Sequence, residues 1–145
     1  SGPKLIVRDV RPSDIGFPNE SWAEATGTTA SAYEASQISA DAIANERFVV
    51  IWGVTDMSNT LAVSLIRWSV GGSITAIWDV SKLWMPGNVS RTGLTLSPLI
   101  FTQNKSITVD HYIKLGATLG NSGGLSVELV YLGAVVEKEG LNLKP

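Results

Sequence analysis

The chain has 145 residues, a formal charge of −2, 44% hydrophobic residues, one histidine and no cysteine. That length fits one domain able to bury a core without covalent staples. The composition excludes disulfides and thiolate chemistry, its acidic balance argues against a nucleic-acid groove, and no apolar run is long enough to span a bilayer.

No basic-then-apolar leader opens the sequence, so a soluble chain is expected. Lys4–Val10 alternates Leu5 and Val7 against Ile6 and Arg8 as a short strand would, and Pro12 and Pro18 then frame a loop holding Gly16 and Asn19. From Trp22 to Asn45 small and polar residues dominate. Ala35, Ile38 and Ala42 fall at helical spacing, while Ile38, Ala40 and Ala42 also alternate as in a strand; strand is preferred because its neighbours are β, and helix stays open. Residues 1–33 are read as an irregular arm with loops and residues 34–145 as the folded body. In the leading segment Lys4, Arg8 and Arg11 are outnumbered by Asp9, Asp14, Glu20, Glu24, Glu34, Asp41 and Glu46, so it is expected to lie on a basic surface or in solvent.

Glu46–Val54 places Phe48, Val50, Trp52 and Val54 on one face, and Trp52 is taken as core. After a polar turn at Thr55–Asn59, the strand Thr60–Val70 meets Ser73–Val80 through Gly71-Gly72, because paired glycines tolerate the positive φ of a two-residue hairpin. A regular register pairs Val70 with Ser73, Trp68 with Thr75 and Ile66 with Ile77. One face then carries Val63, Leu65, Ile74, Ala76, Trp78 and Val80 and is taken as core. The other carries Ile66, Trp68, Val70 and Ile77. Water on both sides of such a ribbon would forgo about 1.5–3 kcal/mol for each large side chain left unburied. Ile66, Trp68, Val70 and Ile77 are therefore expected to be covered by the leading segment or a neighbouring subunit.

Ser81–Ser97 reads as an irregular connection. Within it Trp84, Met85 and Asn88 are candidates for contact with a glycan or a partner side chain, since a loop tryptophan offers a broad, stiff apolar platform. Pro98–Gln103 and Lys105–Leu115 follow as strands around a turn at Asn104, and Asn121-Ser122-Gly123-Gly124 turns the chain into the last strand, Leu125–Glu137.

His111, the only histidine, occupies the apolar face Ile107, Val109, His111, Ile113 and Leu115. Asp110 points to the opposite face and cannot orient it as in a catalytic triad. A structural or interface role is expected, and at a subunit contact its protonation would weaken that contact. The sequence contains no Walker loop, dinucleotide fingerprint or calcium loop, and no carboxylate pair stands apart. No enzyme activity, cofactor or metal is expected.

Strands of this length joined by short turns and one or two long connections predict an all-β, two-sheet antiparallel sandwich. A jelly roll is the first choice and an immunoglobulin-like sandwich the second. The acidic, proline-punctuated opening, the cysteine-free sandwich and the closing strands Lys105–Leu115 and Leu125–Glu137 with a Gly140–Pro145 tail resemble the single jelly-roll capsid and decoration (cement) proteins of icosahedral viruses. The resemblance implies a structural protein of the virion, a homotrimer or higher assembly within a capsid lattice, whose N-terminal arm reaches a neighbour. A carbohydrate- or receptor-binding sandwich using Trp84 is the alternative.

Overall fold

A computed structural model describes residues 4–17, 20–25, 32–33, 41–43, 46–58, 62–80, 92–113 and 126–138. Their strands are β1 (Leu5–Asp9), β2 (Ala23–Ala25), β3 (Ala32–Tyr33), β4 (Asp41–Ala42), β5 (Arg47–Asp56), β6 (Val63–Val70), β7 (Ser73–Asp79), β8 (Thr92–Phe101), β9 (Ser106–Ile113) and β10 (Ser126–Lys138), with a 3₁₀ turn at Pro12–Ile15. The first sheet has the order β1-β10-β5-β8, with β2 also on β10. The second has the order β3-β9-β6-β7, with β4 also on β9. All pairings are antiparallel, and β9, β6 and β7 are the full strands of the second sheet, β3 and β4 being two-residue bridges.

The pairs nest. β6 meets β7, β5 meets β8, β3 and β4 meet β9, and β1 meets β10, as in a long hairpin rolled so that successive arms alternate between two sheets. This is the jelly-roll strand order. Between the sheets lies one core, with Val49, Ile51, Leu129, Tyr131 and Val135 from the first sheet against Ile66, Trp68, Ile107, Val109 and Ile113 from the second. Trp68 sits at its centre, its ring 5.0 Å from Tyr131, 5.2 Å from Trp78 and 5.7 Å from Phe101.

The β6–β7 register corrects the sequence-based one. Val70 faces Ser73 as expected, but Thr75 is bulged out, so Trp68 faces Ala76 and Ile66 faces Trp78. An extra residue on one strand shifts every later pair and reverses which side chains face in. Ala76 and Trp78 thus share the face of Ile66 and Trp68, that face is the core, and Ile74 and Ile77 both face solvent. The cover over Ile66 and Trp68 is the first sheet of the same chain, not a leading arm or a neighbouring subunit.

The N-terminal arm is corrected as well. Leu5–Asp9 pairs along Ala134–Lys138 as a sheet strand, and Val10, Ile15 and Phe17 are core residues. Charge fixes this strand in place. Arg8 Nε lies 2.8 Å from Oε1 of fully buried Glu137, its two terminal nitrogens grip Asp14 at 2.7 and 2.8 Å, and Arg47 Nε reaches Glu137 Oε2 at 2.7 Å. The hydrogen bonds to Asp14, and then those to Glu137, hold the Arg8 guanidinium further above its ordinary pKa, against the opposing effect of burial. The link between the leading segment and the body is thus a basic residue on a buried acid, the reverse of the charge sense expected from composition. Thr92–Ser97, read from sequence as irregular, belongs to β8.

Candidate interaction face

The two central strands of the first sheet are apolar at nearly every position, Phe48–Val54 in β5 and Leu129–Val136 in β10. A strand with that pattern has two apolar faces, because successive side chains point to opposite sides. The inward half supplies the core. The outward half is Phe48, Val50 and Trp52 from β5 and Val130, Leu132, Ala134 and Val136 from β10. Trp52 is an extra residue in β5, skipped both where Leu132 and Gly133 of β10 face Gly53 and Ile51 and in the pairing with β8, and this bulge changes the phase of β5, which is why Val54 turns in while Phe48 and Trp52 turn out.

Register assembles these residues into one surface. Val7, Val136 and Phe48 form a row across three strands, and Ala134, Val50 and Ile100 form the next. Exposure is 66% at Leu5, 70% at Val7, 46% at Phe48, 38% at Trp52 and 66% at Ile100, so large side chains on β1, β5 and β8 are open to water at once. Apart from Asp9, which lies beside Ala134, this face is apolar, and an apolar patch of this kind is unusual on a soluble surface where single exposed residues are not.

The outward face of the second sheet has a different character. Arg67 pairs with Asp110 at 3.0 Å, stacks 4.0 Å above the Tyr33 ring, and Tyr33 meets Tyr112 edge to face at 5.1 Å. These groups satisfy one another. Ile77 lies beside Arg67 and Ile74 beside Ser69 in the ladder, so these two exposed side chains interrupt a polar surface.

At one end of the apolar face is an open cavity of about 350 Å³ lined by Asp9, Val10, Trp22, Trp52, Val130, Tyr131, Leu132 and Gly133. It falls where β1 has left the edge of β10 and β2 has not yet joined it, after the bond from Val10 N–H to the Gly133 carbonyl. Trp22 is braced there by Phe17 at 5.1 Å and Tyr131 at 5.9 Å.

The residues expected at an interface separate into three groups. Ile66, Trp68 and His111 are interior, and the His111 Nε2 atom lies 2.6 Å from the Tyr131 hydroxyl across the core. Val70 is half-buried and Ile77 exposed. Trp84, Met85 and Asn88 lie outside the described residues. Trp52, assigned from sequence to the core, is instead on the open face. Leu5, Val7, Phe48 and Ile100 were not singled out as surface residues, although the unbroken apolar runs of β5 and β10 signal a two-faced sheet. Among the described residues, no group of three or more His, Asp or Glu side chains could hold a metal ion. Comparisons with protein families, curated proteins and solved structures find no match.

Proposed function

We propose that this chain is a structural virion protein, either a shell subunit or a decoration protein, that stabilises an icosahedral lattice through contacts between copies. The observation that carries this reading is the apolar outward face of the β1-β10-β5-β8 sheet, with Val7, Phe48, Trp52 and Ile100 open to water. Complete burial of each such side chain is worth about 1.5–3 kcal/mol, a gain that a lone domain forgoes and an assembly collects. The jelly-roll strand order supports it, being an architecture that recurs in capsid proteins, although lectins and cupins share it.

A carbohydrate- or receptor-binding module is the second reading. It is favoured by the cavity that sets Trp22 and Trp52 beside Asp9, but aliphatic side chains and backbone supply most of the remaining lining. Light-scattering mass across a concentration series, followed by electron microscopy of the concentrated protein, separates the two. The structural reading expects defined oligomers or shells that Val7→Asp abolishes. A compact monomer at high concentration that binds glycans, and loses that binding in Trp22→Ala, supports the module instead.

A further inference from the structure

Building on the assembly reading, we infer that the apolar face is occupied by a second copy of this chain, packed face to face about a twofold axis that runs midway between the two sheets, parallel to them and perpendicular to β10, level with Gly133. The outward residues of β10 read Glu128, Val130, Leu132, Ala134, Val136 and Lys138, an acid and a base separated by four apolar positions. Reversing the strand direction in the second copy sets Glu128 of each chain toward Lys138 of the other while the apolar rows bury one another. A stack with parallel strands would set like charges together at both ends. Lys4 precedes Leu5, which pairs with Lys138, so the basic end carries two cations; Glu46 lies 3.7 Å from the Lys138 ammonium and tempers them. Facing sheets lie about 10 Å apart, a gap that Glu and Lys side chains bridge jointly.

Shape follows the same axis. β1 runs beside only one half of β10, Leu5 with Lys138 through Asp9 with Ala134, and the open cavity occupies the edge beyond it. A half-turn about Gly133 carries the β1 of one copy over the opposite half of the other. Val7, level with Val136, then comes down beside Val130, and Val7 and Leu5, two prominent apolar projections of the face, meet the recess walled by Trp22 and Trp52. Projection and recess exchange reciprocally, as a closed isologous contact requires.

Charge reversal tests this arrangement on the full chain by sedimentation equilibrium, with far-UV circular dichroism verifying the fold. Glu128→Lys and Lys138→Glu should each weaken self-association about tenfold, since two exposed pairs per dimer turn from attractive to repulsive. Mixing the two variants, or combining both changes in one chain, should restore wild-type association, because opposite charges then face each other at both ends. Val7→Asp, at an exposed position, should leave the fold intact and the chain monomeric. If wild type associates and Val7→Asp prevents it, yet mixing restores nothing, the antiparallel arrangement is wrong while the assembly reading stands. If wild type remains monomeric at every concentration, both fail.

Discussion

Glu137 has no exposed surface, and two guanidiniums converge on it. Removing one partner from a buried ion network strands charge in a medium that solvates it poorly, which typically costs about 3–5 kcal/mol. Glu137→Ala should therefore lower stability by about that amount in urea unfolding, because Arg8 and Arg47 would both lose their shared acceptor. The loss falls on β1 first, since Arg8 joins that strand to β10. Tyr131 makes a smaller test. Its hydroxyl is 2.6 Å from His111 Nε2 inside the core, and Tyr131→Phe should cost about 1–3 kcal/mol, read as a reduced denaturation midpoint at unchanged slope. The alternation of Ile107, Val109, His111 and Ile113 set His111 on the apolar face of its strand, and the structure places all four inside, not at an interface. Its partner was not legible, because Tyr131 lies on the opposite sheet and no local pattern joins them.

Elements were readable where the information is local. The Gly71-Gly72 turn stands as expected, with φ of 57° and 85°, and so does the Asn104 turn between β8 and β9, where φ is 65°. Bulges were not readable, since one extra residue leaves no mark in an alternating pattern yet reverses every side chain beyond it. Thr75 does this in β7, and it brings Ala76 and Trp78 onto the face of Ile66 and Trp68, which is the core face and not the supposed surface. At Gly133, opposite the β5 bulge, the two strands close up tightly. A Cβ built there would run into the Val50 carbonyl oxygen and crowd Ile51, so β5 and β10 approach closely only because the side chain is missing. Gly71 has open space around it and only a left-handed φ to lose. Gly133→Ala should accordingly cost at least about 3 kcal/mol, by overpacking backbone against backbone, and Gly71→Ala about 1 kcal/mol. Equal losses in paired urea titrations would mean that β5 and β10 can separate at the bulge without penalty.

At the scale of the whole molecule, the two ends of the chain are neighbours, Leu5 pairing with Lys138 and Asp9 with Ala134. Such a contact closes nearly the entire chain into a loop, and no sequence window contains both partners, which is why an opening strand with short alternating character was taken for an arm. The same topology decides what truncation does. An arm can be removed with loss of oligomer contacts alone, but deleting residues 1–10 here removes an outer strand of the first sheet, the Arg8 bonds to Asp14 and Glu137, and the buried Val10 side chain. It also bares the edge of β10 and leaves Glu137 with Arg47 as its remaining ion-pair partner from this network. The truncated chain should lose its cooperative thermal transition and near-ultraviolet dichroism, the signature of lost tertiary packing, while the full chain retains both. A truncated protein that melts cooperatively near the wild-type temperature but no longer self-associates would show that β1 contributes to the contact between copies and is dispensable for the fold.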